Sequence, residues 1–327
     1  MISLYNKITE LKEKSDENGE LIADLFINSN SHYIAVNPDG DIVLFINFKN
    51  PSKYQFTPSK GKFLEVHYDV SFNFKRINNS KNISHDFCLL KLNNQDNENN
   101  LYKYFLDLCI ELITKLGEQP DIKEIYSFIE NTKRLFEQLT IKKNTDEIGL
   151  WGELFLISKS KDLNYIVESW HINKTDRFDF NDSINKLEVK TTKKNERIHH
   201  FSLNQLDKLQ SSNTLICSIM TSEVGKGISV FELYERILTE LDNNIKHIFR
   251  DKFFQICGSD LISFNTKFDL GMAKSSCKFY SVSSIPSIDF GSIQSGVTNV
   301  EFDSNLQTVK FLDLNNFKSE KLFSLFN

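Results

Sequence analysis

No apolar run in this chain is long. The longest, Ile42–Ile46, falls far short of the ~20 residues a helix needs to cross a bilayer. The opening residues, Met1-Ile2-Ser3-Leu4-Tyr5-Asn6-Lys7, turn polar at once and hold no signal-peptide core. Cysteine is sparse: Cys88, Cys109, Cys217, Cys257 and Cys277 lie far apart with no C-x-x-C pair, which argues against a disulfide framework or a zinc site and for reduced thiols in the cytoplasm. Glycine (12) and proline (5) are scarce, excluding a collagenous or low-complexity chain. An excess of one charge is missing too. With 39 Lys+Arg against 44 Asp+Glu the net charge is -5, so the chain is no histone-like polybasic protein, though one local basic groove remains compatible with it. There is no G-x-x-x-x-G-K-[ST] loop, no G-x-S-x-G elbow and no Cys–His nucleophile arrangement.

What is present is length and aromatic bulk. A chain of 327 residues with 28 Phe can bury roughly three quarters of its unfolded surface, and its length suggests about two domains. Residues 1–100 read as a β-rich N-terminal domain for recognition or partner binding. A buried strand is expected at Ile42–Ile46, an alternating one at Phe63–Val70, and another at His85–Leu92. The purely polar Asn93–Asn100 reads as a linker. From Leu101 the period changes to helical, with Tyr104, Phe105, Leu108, Leu112 and Leu116 on one stripe, followed by a second helix over about 121–139 and a third from Thr145 to Ser158. Strand-like runs are expected at Ile166–Ile172, Arg177–Asn181, Lys186–Thr192 and Thr214–Thr221, and a short helix at Leu206–Leu209. Helices follow at Val230–Leu241 and Ile245–Cys257, then a β-rich tail from Phe279. Gly225-Lys226-Gly227 reads as a short turn. Residues 101–327 thus form a helical segment, an α/β core over about 145–258 and a C-terminal extension.

The sharpest local pattern lies between Asp179 and Lys190. Phe178-Asp179-Phe180 alternates, setting Asp179 opposite its aromatic neighbours. Leu187-Glu188-Val189-Lys190 puts Glu188 and Lys190 on one face. If the two strands pair, the carboxylates converge beside a lysine. Two hard oxygen ligands suit Mg²⁺, with Mn²⁺ as a substitute, and the carbonyl of Val189 would be a further ligand. Such an ion polarises a phosphodiester and acidifies an attacking water, while Lys190 holds that water or offsets charge on the phosphorane. An exposed sheet face with a Glu–Lys pair and an unrelated Asp produces the same pattern. Upstream, Glu153 stands inside an almost wholly apolar helix, Ile148–Ile157, where an unpaired carboxylate is expensive; it needs a partner, whether a metal-bound water, Lys190 or another structural cation. Gly149 and Gly152 would let this helix approach a sheet closely. Downstream, Lys186, Thr192, Lys193, Lys194 and Arg197, with Lys190, Thr191, His199 and His200, concentrate positive charge and hydroxyls that either hold a nucleic-acid backbone or line a solvated loop. His199 and His200 are adjacent, so on a strand they point to opposite faces and make a poor ligand pair. Trp151 and Trp170 read as core.

The order Glu153 on a helix, Asp179, then Glu188-Val189-Lys190 resembles the PD-(D/E)XK nuclease superfamily, which includes many restriction endonucleases. Gly149–Leu154, Phe178–Phe180 and Leu187–Thr192 leading to Ser202–Leu206 together resemble one bacterial family of it, with Tyr280–Pro286 continuing the likeness. Members of that family are often encoded beside DNA methyltransferases and ATPases in restriction or phage-defence gene clusters. The resemblance implies a restriction-endonuclease-like α/β (α+β) core, a mixed sheet flanked by helices. It implies Asp179 and Glu188 as metal-binding positions, Lys190 as catalytic lysine, Glu153 as the helical acidic position and Gln205 as a helical glutamine near the site. Phe178 stands where the family has proline, and Asp176 and Asp182 compete with Asp179. The function implied is a Mg²⁺-dependent DNA endonuclease on double-stranded DNA, with homodimer formation and ATPase or methyltransferase partners in view. The alternatives are a catalytically silent nuclease fold that binds nucleic acid or scaffolds a defence complex, and an RNA or small-molecule phosphodiesterase.

Overall fold

The computed structural model describes residues 2–49, 56–77, 79–93, 99–171, 177–207, 213–317 and 320–326. The chain divides into two compact units, Met1–Lys142 and Lys143–Asn327.

The first unit opens on α1 (Ile2–Asn18), an element that the polar composition of this stretch conceals. Leu4, Ile8, Leu11 and Ser15 are nonetheless buried at the three-and-four spacing of one helical stripe. Six strands follow: β1 (Ile22–Leu25), β2 (Tyr33–Val36), β3 (Ile42–Ile46), β4 (Ser59–Lys60), β5 (Leu64–Arg76) and β6 (Asn79–Leu92). They are ordered β1-β2-β3-β6-β5-β4, and a parallel pairing of Ile22 with Lys75 links β1 back to β5. Ala23, Ala35, Val43, Phe45, Phe74, Phe87 and Leu89 fill the space so enclosed. Two helices complete the unit, α2 (Asn99–Leu116) and α3 (Ile122–Gln138), the latter started by a capping box of Asp121 and Glu124. The division falls after Lys142, so α2 and α3 belong with this unit. Most of the polar stretch at 93–100 lies outside the described residues.

The second unit begins with α4 (Glu147–Ile157) and α5 (Leu163–Ser169). α5 replaces the strand expected at Ile166–Ile172. The Asp162 carboxylate accepts from the Tyr165 N–H at 3.0 Å and starts a helix there, and Ile172 itself lies outside the described residues. Next come β7 (Phe180–Asn181), shorter than the expected 177–181 strand, β8 (Lys186–Thr192), β9 (Ile198–Ser202), a 3-10 turn at Leu203–Leu206, and β10 (Thr214–Met220). The turn stands earlier than the expected helix at Leu206–Leu209, whose last two residues are not described. β11 (Glu223–Ile228) takes in Gly225-Lys226-Gly227, which is therefore extended and not a turn. Gly227 is required there because a Cβ would lie 2.5 Å from the Phe268 carbonyl oxygen. The remaining elements are α6 (Val230–Glu240), α7 (Asn243–Cys257), α8 (Leu270–Ser276), β12 (Lys278–Ser281), β13 (Glu301–Asn305) and α9 (Lys321–Ser324).

Four of these strands form a mixed sheet ordered β12-β10-β8-β7. β8 and β10 are parallel over their full length, from Thr214 opposite Lys186 to Met220 opposite Thr192, while β7 and β12 run antiparallel at the edges. β9 and β13 pair separately. The fold is thus a mixed α and β one in which helices cover a sheet, as expected. Helix α4 lies against β8 at van der Waals distance because Gly152 has no side chain: a Cβ there would stand 1.8 Å from Thr191 Oγ1. Gly149 plays no such part, since its added Cβ would meet only the Asp146 side chain of its own helix cap. Trp151 and Trp170 are fully buried.

Candidate active site

β8 carries the centre of the site. Its alternation buries Leu187 and turns Glu188 and Lys190 to the other face. Asp179 stands one residue before β7, between the buried rings of Phe178 and Phe180, with its backbone carbonyl held by the His171 N–H at 2.8 Å. The Asp179 carboxylate reaches across to β8 and accepts the Val189 N–H at Oδ2, 2.7 Å. An extended residue sends its N–H and C=O out by the same edge, so the Val189 carbonyl leaves β8 on the Asp179 side.

Glu188 is only 5% exposed, and its Oε1 accepts from Lys190 Nζ at 2.8 Å and from Gln205 Nε2 at 2.6 Å. Gln205 is fixed at both ends of its amide, because Oε1 takes the Ser202 N–H in the capping box of the 3-10 turn. Its place beside Glu188 thus has a local cause. Lys190 is half-buried over the Phe201 ring, 5.3 Å from its centroid. Glu153 comes from α4, and its partner is an indole: Trp170 Nε1 donates to Oε2 at 2.7 Å. Trp170 is anchored by Lys252, whose ammonium donates to the carbonyls of Val167, Glu168 and Trp170 at the end of α5. Neither Trp170 nor Lys252 is marked as a site residue by sequence, since each meets its partner only through the fold.

Three carboxyls in this small space cannot ionise freely. Burial, followed by the charges of Glu188 and Glu153, pushes Asp179 well above the usual carboxylate range against the opposing pull of the Val189 N–H and Lys190. Burial also raises Glu188, despite Lys190 and the hydrogen bonds it accepts. Glu153 is pushed up to about 8, chiefly by burial and then by the Glu188 charge, with the Trp170 N–H and Lys190 pulling the other way. A hard divalent cation between Asp179, Glu188 and the Val189 carbonyl would relieve this repulsion, so the donor set fits such an ion. Among the described residues no three His, Cys, Asp or Glu side chains converge tightly enough to hold one by themselves. Asp182 is a turn residue: its Oδ1 caps the N–H groups of Ile184 and Asn185 between β7 and β8. Asp176 is not among the described residues.

The family model described as "Putative PD-(D/E)XK family member, (DUF4420)" matches residues 6–307. The chain belongs to this family. No curated protein and no solved structure matches it. The match takes in nearly all of both compact units, and Asp179, Glu188 and Lys190 lie within it.

The expected nucleic-acid patch holds up less well. Arg197 is 5% exposed and its guanidinium is used inside the fold, donating to Ser218 O and Oγ and to Ser276 O. Thr192 is buried, with its hydroxyl accepting the Lys194 N–H. Neither is presented to a ligand. Lys193 is exposed but paired with Glu223. Lys194 stays exposed, and Lys186 is half-buried with its ammonium 5.7 Å from the Phe178 ring centroid. The two histidines part as strand geometry requires. His199 is buried on Ser218 Oγ at 2.6 Å, and burial with the charges of Arg197, Lys190 and Lys194 lowers it to about 3. His200 is exposed against Asp303 and Glu301.

Proposed function

We propose that this chain is a divalent-metal-dependent endonuclease that hydrolyses phosphodiester bonds of double-stranded DNA, with Mg²⁺ as its ion and Mn²⁺ as a substitute. Its setting would be restriction or antiphage defence in the cytoplasm, with a second copy, or an ATPase or methyltransferase partner, completing a double-strand cut. The observation that carries this reading is the Asp179 carboxylate bonded to the backbone of the strand that presents Glu188 and Lys190, with both carboxyls raised.

In this reading Asp179, Glu188 and the Val189 carbonyl hold the ion. When bound, the ion supplies Lewis acidity to the scissile phosphate and favours ionisation of the attacking water. Lys190, fixed by Glu188 at 2.8 Å, orients that water and offsets the charge that builds on the phosphorane. Gln205 keeps the Glu188 oxygen aimed, and so acts as a positioning residue. Glu153, its carboxyl raised by burial and by the Glu188 charge, stands beside the site where it can hold a proton. Phosphate contacts fall to Lys186, Lys194 and surfaces that a partner provides, because Arg197 and Thr192 serve the fold.

The test is to incubate the protein and its Lys190→Ala variant with supercoiled, linear and single-stranded DNA, with Mg²⁺, Mn²⁺ or EDTA. Metal-dependent cleavage lost in the variant supports the reading, and Asp179→Ala and Glu188→Ala should lose it as well. Full activity in all three variants would overturn it. No cleavage, together with no metal binding by calorimetry, would favour a silent nuclease fold that binds nucleic acid or scaffolds a complex.

A further inference from the structure

Of the five cysteines, Cys88, Cys109, Cys217 and Cys257 are fully buried and only Cys277 is partly exposed. Cys217 and Cys277 do not stand alone. Their sulfurs are 3.5 Å apart, with Cys217 in the middle of β10 and Cys277 in the junction between α8 and β12. The antiparallel ladder places Phe279 opposite Cys217, so Cys277 is its diagonal neighbour just beyond the ladder's end.

The surroundings hold the two thiols together. Arg197 donates to Ser218, the residue after Cys217, and to Ser276, the residue before Cys277. Ser276 in turn accepts the Met220 N–H at 2.9 Å and donates to the Met220 carbonyl at 2.7 Å, stitching the junction to β10. One guanidinium and one hydroxyl thus set the spacing of the pair. The two sulfurs are also unequal. The hydrogen bond with Cys217 holds the Cys277 thiol below its ordinary range against burial, helped by the charges of Arg197 and Lys159. Cys217 is fully buried inside β10, whereas Cys277 is partly exposed. That is the asymmetry of an attacking and a resolving thiol.

We infer that Cys217 and Cys277 form a peroxide-sensitive dithiol that closes reversibly to an intramolecular disulfide. The Cys277 thiolate sulfur attacks one peroxide oxygen, the O–O bond breaks, and the departing hydroxide becomes water, leaving a sulfenic acid. The Cys217 sulfur then attacks the Cys277 sulfur, and the S–O bond breaks. The second hydroxide leaves with the Cys217 proton as water. Two thiols lose two electrons in all, and one peroxide becomes two waters. The sulfurs must close from 3.5 Å to about 2.05 Å, a movement that falls to Cys277 because it lies outside the ladder. A dithiol reductant reverses the step. Since β10 is the strand hydrogen-bonded to β8, the modification lies one strand from Glu188 and Lys190.

The test treats the full chain with a few equivalents of hydrogen peroxide, then blocks remaining thiols under denaturing conditions and reads intact mass and unreduced peptide maps. Loss of two of the five alkylatable thiols, a Cys217–Cys277 cross-linked peptide, and recovery of both thiols with dithiothreitol are expected. In Cys217→Ser, Cys277 should stop at a sulfenic acid that a dione reagent traps. Retention of all five thiols under excess peroxide, oxygen addition at Cys277 with no cross-link, or a cross-link between other cysteines would each overturn the inference. The peptide map of the unaltered chain decides the matter even if the serine variant does not fold.

Discussion

Substituting Gly152 by alanine tests the contact on which the site's geometry depends. The added Cβ would lie 1.8 Å from Thr191 Oγ1, 3.0 Å from its Cβ and 3.4 Å from its Cγ2. Rotating Thr191 about χ1 removes the worst of these contacts, but the Cβ–Cβ approach does not depend on the rotamer and stays too close. Helix α4 and strand β8 must therefore separate by a few tenths of an ångström even after the side chain has moved. Overpacking of this kind costs about 1–3 kcal/mol, against which alanine returns about 1 kcal/mol of helix propensity. The expected net loss is up to about 2 kcal/mol in urea unfolding. The shift would also displace Glu153 from Glu188 and Lys190. A misplacement approaching 1 Å is worth ~10²-fold in rate, so metal-dependent cleavage should fall more than stability does. Adding Thr191→Ala removes Oγ1 and Cγ2 but keeps the Cβ at 3.0 Å, so it should recover only part of both. A Gly152→Ala protein more stable than the parent, with cleavage unchanged, would refute the close approach of α4 to β8.

Three further outcomes follow from the same geometry. Asp179→Asn should raise the stability of the metal-free protein at pH 8 and change it little at pH 4. A carboxyl whose pKa is raised by folding carries no penalty below its unfolded pKa and an increasing one as pH climbs from there toward the folded pKa. Raising a carboxyl's pKa by one costs about 1.4 kcal/mol, or ~3–6 °C in the melting temperature of a unit of this size, and a variant less stable at both pH values would contradict the burial described. Trp170→Phe removes the donor from Glu153, so the carboxyl should titrate above about 8, followed by carbon NMR of labelled glutamate, with a stability loss of ~1–3 kcal/mol. Arg197→Ala should cost ~3 kcal/mol by leaving the Ser218 and Ser276 acceptors unpaired, whereas Lys194→Ala should stay within ~0.5 kcal/mol. Equal effects in urea would mean that Arg197 is not held inside the fold.

Much of the site is legible along the chain because its elements announce themselves locally. Lys186–Thr192 alternates and is a strand; Asp179 sits between two phenylalanines that bury to either side of it; and Glu153 is conspicuous as the one charge between Ile148 and Ile157. What is not legible depends on contacts distant in sequence. Trp170 reads as core and is core, yet nothing in its neighbourhood says that its N–H meets Glu153. Arg197 reads as part of a basic run, although the burial of Arg197, just before β9, and of His199 and Phe201 on it is a period-two pattern that composition alone overlooks. The helix at Leu163–Ser169 is masked by Ile166-Val167, an apolar pair that suits strand or helix equally, and only the cap at Asp162 discriminates. α1 is hidden for the opposite reason: its buried stripe is narrow and the residues between are polar.

The bond between Trp170 and Glu153 gives the molecule an optical readout of its own chemistry. There are only two tryptophans. Trp151 donates its N–H to the Ile228 carbonyl at 2.9 Å, a group that does not titrate. Trp170 donates to a carboxyl that does. A change in indole emission as the pH is raised would therefore report the Glu153 carboxyl, with no label attached. Because the Glu188 charge is part of what raises Glu153, a cation bound at Glu188 should move that change to lower pH, and the Trp170 indole would then register metal occupancy in ordinary cuvette fluorescence.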